Sequence, residues 1–288
     1  MSLQPITSLT DLIDSARAFF IDVYGVLYNG ETYYPPALRV CEQLMRAGRQ
    51  VIVLSNATTV GSHFQEKHAR LGFLKGVHYT DVVTSGDVLK EKLEKQHFLD
   101  DVTGAPTGLY TVIGRENDRL FATVLDRQTT DMDKAAAVYF GSLQKDGHFF
   151  ETLDPYLPSA QRALQKGLPA ICANPDYFAF IGDRKHVGQG FLARWYEEQG
   201  GTVYWIGKPY PEIYDYALRQ TGISDPTRAV MVGDTIRTDI LGGQTAGLQT
   251  VLITGTGITA DLIAAGKELM QIADAEGAVP DYLLERLS

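Results

Sequence analysis

Apolar residues along the chain gather in short unbroken runs separated by amphipathic stretches. Ala18-Phe19-Phe20-Ile21 has no polar residue in alternation, the pattern of a strand covered on both faces. The run stops at Asp22, and Gly25 supplies a turn just beyond. Behind Pro35-Pro36, Leu38, Cys41, Leu44 and Met45 keep a helical stripe that Gly48 closes. QVIVL, residues 50–54, predicts a second buried strand ending in Ser55-Asn56, followed by a helix over 60–71 stopped by Gly72. With a short leading helix over 10–18, the order is that of a parallel sheet with crossover helices.

The rhythm then loosens. A strand is predicted over 81–84, and Thr84-Ser85-Gly86-Asp87 opens a capped helix running to about residue 97. Strands over 109–113 and 135–140 follow, then a helix over 154–166 and the strand PAICA, 169–173, which ends in Asn174-Pro175-Asp176. Regular alternation resumes with a helix over 187–199, a strand over 203–206 and the loop Gly207-Lys208-Pro209. Next come a helix over 211–221, a strand over 229–232 ending in Gly233-Asp234, a helix through Ile240 and Leu241, and a strand over 249–253. No internal repeat interrupts this order. The expected fold is α/β: a doubly wound parallel, Rossmann-like sheet split into residues 1–83 and 181–288, with an α/β cap domain inserted at 84–180.

Composition narrows the class of function. The 288 residues suffice for two domains, and 44% hydrophobic with 21% charged residues is the balance of a folded chain rather than a disordered one. A net charge of −9 argues against nucleic acid or an anionic membrane as the main partner, because both need a basic face, and leaves room for a local basic pocket that holds a small anion. Cys41 and Cys172 stand in apolar surroundings that suit packing rather than a disulfide or metal cluster. The six histidines lack ligand spacing, and most of them are expected at the surface. The first residues carry no leader pattern and no window reaches membrane-span length, so a reducing cytoplasm is the expected setting.

Four predicted strands end in residues that carry chemistry: Asp22, Ser55-Asn56, Lys208 after Gly207, and Asp234 after Gly233. Parallel strands bring such ends to one edge, where open α/β sheets have their ligand crevice. There a carboxylate nucleophile, a hydroxyl with backbone amides, a cation and a second carboxylate would meet. A carboxylate can take a phosphoryl group and release it to water. Two close carboxylates repel unless a cation lies between them, and Mg²⁺ prefers oxygen ligands.

The segments DVYGV, LSNA, IGKPYPEIY and VGDTIRTDI resemble, in order and in strand context, the four motifs of the haloacid dehalogenase superfamily. The insertion between the second and third, with CANPD before the core resumes, is similar to class IIA, the NagD-like nucleotide and sugar phosphatases. The resemblance implies a Mg²⁺-dependent phosphohydrolase acting on a small phosphorylated metabolite, with homodimerisation through the cap. It makes Asp22 the nucleophile and a metal ligand, with the Tyr24 carbonyl completing the metal site. Ser55 and Asn56 would bind the phosphoryl group, Lys208 would neutralise Asp22 and the phosphate, and Asp234 would be the second metal carboxylate. Asp239 would be an outer partner of the metal site, and Asn174 and Asp176 would face the substrate from the cap. Asn174-Pro175-Asp176 reads equally as a turn.

One position departs from the pattern. Most phosphatases of this superfamily carry an acid two residues after the nucleophile, where this chain has Tyr24. A phenol can donate a proton but is a poor base near neutrality. An aromatic residue at this position resembles both a subgroup of class IIA and the superfamily's metal-free haloacid dehalogenases. Asp234 and Asp239 oppose the second of these, since an acidic pair is unneeded there and repels a carboxylate substrate. A non-catalytic module that binds phosphate and metal without turnover is the other alternative. The glycines of GTGIT, Gly255 and Gly257, are expected to form a plain loop.

Overall fold

The computed structural model describes residues 3–95, 97–115, 118–145, 148–181 and 184–288. Its larger sheet has seven strands, all parallel, in the order Gln4–Pro5, Tyr282–Leu284, Gln249–Ile253, Ala229–Gly233, Ala18–Ile21, Gln50–Ser55, Asp81–Thr84. The uniform apolar runs are explained by burial on both faces. Phe19 and Ile21 point into one cluster with Val51, Val53, Val230 and Val232, while Phe20 points into the other with Ile52, Leu54 and Met231. That alternation is the period of two that a strand imposes, and both faces here require apolar residues.

A second parallel sheet, ordered Val203–Trp205, Ala170–Cys172, Ala137–Phe140, Tyr110–Ile113, forms the cap. The two sheets share an apolar cluster, in which Phe20 and Ile52 of the first join Tyr110, Tyr139 and Ile171 of the second. The split at 181 expected from the pattern assigns Val203–Trp205 to the core, whereas the strand pairs with Ala170–Cys172 in the cap sheet. The cause lies just upstream. Helix Gln189–Glu198 buries Leu192, Ala193 and Tyr196 in the cap cluster, and the turn at Gly200-Gly201 returns the chain at once beside Ala170, whose amide donates to Thr202 O.

Other differences have local causes. The leading helix is a single 3₁₀ turn, Leu9–Leu12, capped by Ser8. The helix expected from 187 begins at Gln189, because Arg184–Val187 pairs with Phe178–Ile181 in an antiparallel hairpin. His68, His78 and His186 are buried rather than at the surface; His68 Nδ1 meets Tyr33 Oη at 2.6 Å and its ring stacks on Phe64. Both cysteines are buried and free. Among the described residues no helix is long and apolar enough to cross a membrane.

Candidate active site

Strand register brings the first acidic residues together. Ile21 pairs with Val53 on one side and with Val232 on the other, so Asp22, Ser55 and Asp234 emerge within two residues of one another at the carboxyl end of the sheet. The Asp22 amide still donates to Val232 O, which fixes where its side chain leaves the strand. Asp239 arrives from the turn Ile236–Ile240, whose π geometry lets it fold back over Gly233. A side chain at Gly233 would overlap the Asp239 carboxylate. Asp22, Asp234 and Asp239 offer oxygens that all lie within 4.8 Å of one another.

Lys208 sits at the centre, 2% exposed. Its Nζ donates to Asp22 Oδ1 at 2.6 Å and to Asp239 Oδ1 at 2.7 Å. The Lys208 amide donates to Asn56 Oδ1 at 2.7 Å, and Asn56 Nδ2 donates to both Lys208 O at 3.2 Å and Asp176 Oδ1 at 2.9 Å. Asn56 therefore joins the second core loop, the lysine loop and the cap. Gly207 makes this crossing possible: its φ is +112°, and a Cβ there would stand 2.7 Å from Asn56 Oδ1. Ser55 is buried next to it, with its Oγ accepting from the Ala57 amide at 3.2 Å.

The two residues of the cap turn separate in their contacts. Asn174 Oδ1 accepts from the Asp176 amide at 3.0 Å, so its side chain holds the turn, and only Asp176 reaches the core. Tyr24 stacks edge-on against Tyr28 at 5.5 Å and is 36% exposed at the cavity wall. The cavity above these groups has a volume near 510 Å³ and is lined by Asp22, Tyr24, Asp176, Tyr177, Asp234 and Arg237 among others.

Several contributors were hidden from the sequence. The Ile258 amide donates to Asp234 Oδ2 at 2.5 Å, and a side chain at Gly257 would overlap that carboxylate, so the GTGIT segment is part of the site rather than a plain loop. The Thr235 amide donates to Asp239 Oδ2 at 3.1 Å. Ser85 Oγ donates to Asn56 Oδ1 at 3.2 Å. Arg237 Nη2 donates to Pro175 O at 2.7 Å, and its guanidinium lies 3.6 Å from the Tyr177 ring centroid, fastening the core to the cap. The one sequence signal for these was a glycine-rich stretch following a strand.

Three carboxylates around one ammonium leave an excess of negative charge, and their donor atoms are all hard oxygens. That set fits Mg²⁺. Asp239 has both oxygens engaged by Lys208 and Thr235 at short range, which suits an orienting place; among the described residues Asp22 keeps Oδ2 without a hydrogen bond, and Asp234 Oδ1 takes only a long contact from Thr235 Oγ1 at 3.4 Å, which a cation can displace. The electrostatics agree. Burial pushes the Asp22 carboxyl up to about 7 against the pull of Lys208. Burial, then the charges of Asp239 and Asp22, raise Asp234 well above the ordinary range. Burial opposes the Lys208 ammonium, but Asp22, Asp239 and Asp176 outweigh it and hold its pKa well above the usual value.

A pH dependence follows for the metal-free protein. Asp22 titrates at its ordinary 3.8 when unfolded and at about 7 when folded. The folded state binds the proton more tightly, so this contribution to stability is complete below the unfolded value and is lost as pH rises through the folded one. Melting temperatures of EDTA-treated wild type and Asp22→Asn, compared at about pH 4 and about pH 8, should show the wild type losing more stability toward alkaline pH. Parallel slopes would remove the electrostatic account of the site.

Comparison with known proteins closes the description. A family described as haloacid dehalogenase-like hydrolase matches residues 19–126, and a HAD-hydrolase-like family matches residues 205–287. The crystal structure of a haloacid dehalogenase-like hydrolase from Brucella suis 1330 superposes with a TM-score of 0.81 at 32% identity, covering 98% of this chain and 100% of that one. Chronophin of Homo sapiens is 29% identical over 290 residues, 98% of this chain and 94% of that protein. Glycerol-3-phosphate phosphatase of Homo sapiens is 25% identical over 308 residues, 96% of this chain and 90% of that protein.

Proposed function

The chain belongs to the haloacid dehalogenase-like hydrolase family, and from that premise we propose that it is a Mg²⁺-dependent phosphohydrolase, hydrolysing a phosphate monoester of a small metabolite through an aspartyl-phosphate on Asp22. The observation that carries this reading is the Lys208 ammonium clamped between Asp22 and Asp239 beside the buried Asp234. Phosphatases among the relatives support the choice of a phosphate ester. A sugar phosphate or a nucleotide fits the cavity's size class.

In this reading an oxygen of Asp22 attacks phosphorus, in line with the departing ester oxygen. Lys208, Ser55 and the backbone near Asn56 hold the phosphoryl oxygens, and Lys208 offsets the charge that gathers on them. Asp22, Asp234 and the Tyr24 carbonyl would hold Mg²⁺, with Asp239 orienting the site; bound there, the ion screens the carboxylate nucleophile from the anionic phosphoryl group. The cap covers the reacting atoms and excludes water. The acidic surface and two buried thiols support a cytoplasmic setting without nucleic-acid or membrane partners, and pairing of two copies through the cap rests on the family resemblance.

One observation favours a second reading, a module that binds phosphate without turnover. Tyr24 replaces the usual acid, and burial, with the nearby Tyr28 and Asp22, pushes its phenol up to about 12, which makes it a weaker proton donor and leaves less phenolate to act as a base near neutrality. A panel of phosphate monoesters, assayed with Mg²⁺ and again after EDTA, separates the readings. Metal-dependent phosphate release is expected. Binding of inorganic phosphate without release from any ester would favour the module, and metal-free halide release from a 2-haloacid would favour a dehalogenase.

A further inference from the structure

We propose that Asp176, carried by the cap, is the acid–base catalyst of this enzyme and fills the role that Tyr24 leaves vacant. The inference rests on the reading of Asp22 as the nucleophile.

Asp176 lines the same cavity as Asp22 and Tyr24 and reaches it from the cap, which in this reading covers the ester. Its Oδ1 accepts from Asn56 Nδ2 at 2.9 Å, and among the described residues its Oδ2 takes no hydrogen bond. The carboxyl is therefore tethered by one oxygen to the residue beside the phosphoryl-binding Ser55, with the other free to exchange a proton.

The backbone beneath it is held from three directions. Asn174 Oδ1 accepts from the Asp176 amide, Asp176 O accepts from the Gly190 amide at 3.2 Å, and Arg237 Nη2 donates to Pro175 O. A side chain at Gly188 would overlap Asp176 O, and one at Gly190 would overlap Pro175 O, so the turn sits directly on the start of helix Gln189–Glu198. An ordinary turn acid needs none of this support, and preorganisation of this kind is what a catalytic group requires.

The surroundings suit a group that holds a proton and then returns it. Burial raises the Asp176 carboxyl above its ordinary value, although Lys208, the Asn56 hydrogen bond and Arg237 pull it down; Asp239 adds to the rise. In the first step an oxygen of Asp22 forms a bond to phosphorus and the bond from phosphorus to the ester oxygen breaks. The electron pair stays on that oxygen, which takes the Asp176 proton and leaves as an alcohol. In the second step Asp176, now a carboxylate, takes a proton from the water that attacks phosphorus. The bond to Asp22 breaks, the carboxylate of Asp22 is restored, and inorganic phosphate leaves with Asp176 protonated again.

The leaving group supplies the test. An alkoxide needs the proton; a nitrophenolate scarcely does. Asp176→Asn keeps an oxygen for Asn56 and removes the exchangeable proton. Its kcat for an alkyl phosphate should fall about 10²–10⁴-fold, and the loss on p-nitrophenyl phosphate should be smaller by at least about tenfold. In the double variant Asp176→Asn/Tyr24→Asp, the alkyl rate should partly return, because a carboxyl then stands two residues after the nucleophile. An equal loss on both esters, or no loss on either, overturns the role of Asp176 while leaving the phosphohydrolase intact. A wild type that releases phosphate from neither ester in Mg²⁺ overturns both.

Discussion

Replacing Lys208 with methionine is expected to lower the free energy of unfolding by about 3–5 kcal/mol in the metal-free protein. The ammonium is almost wholly inside the protein, and it is the shared partner of Asp22 and Asp239, whose side chains are 14% and 1% exposed. Methionine fills a similar volume but leaves the two carboxylates facing each other in a low-dielectric site. Protonation relieves that repulsion, so the deficit should shrink toward acid pH, and added Mg²⁺ should recover part of it near neutrality. Urea unfolding with and without EDTA measures the change, with an unaltered slope identifying it as stability. A deficit below about 1 kcal/mol in EDTA, the scale of an exposed ion pair, would contradict the picture of a buried charge cluster. Turnover should fall in the same variant by at least about 10²-fold, since the phosphoryl oxygens lose their cation.

Asp22→Asn is expected to retain the fold and lose the reaction. The amide occupies the same space and can still accept from Lys208, yet it cannot take a phosphoryl group. A loss of at least about 10⁴-fold in phosphate release is in line with removal of a nucleophile elsewhere. The companion measurement is mass spectrometry of the acid-quenched wild type during turnover, which should show one phosphoryl group on the peptide containing Asp22 and none in the variant. A residual rate within about tenfold of wild type would move the nucleophile elsewhere.

The strands were legible because their apolar runs are uniform: a strand with both faces buried has no room for a polar residue, so Asp22 and Asp234 stand out where the runs end. The pattern said nothing about which sheet a run joins. Val203–Trp205 is as plain a strand as its neighbours, and only its pairing with Ala170–Cys172 reveals that the lysine motif follows a cap strand. The hairpin Phe178–Ile181 with Arg184–Val187 escaped notice because its second strand, RKHV, is charged and leads straight into a helix. The final strand, Tyr282–Leu284, is three residues long, too short for periodicity to register. Asp234 was visible at its strand end, whereas the amide that fixes it comes from Ile258, across a separation that no local pattern spans. Arg237 was hidden for the same reason, since its partner Pro175 lies in the cap.

The placement of Val203–Trp205 has a mechanical consequence. Lys208 lies three residues beyond that strand, and the Ile206 amide is still tied to Cys172 O in the cap sheet. Gly207 is thus the single residue in which a displacement of the cap can be absorbed before it reaches the ammonium. The lysine segment links the cap sheet to the core carboxylates Asp22 and Asp239. Any displacement of the cap sheet that carried Ile206 with it would therefore meet the Lys208–Asp22 contact across one residue.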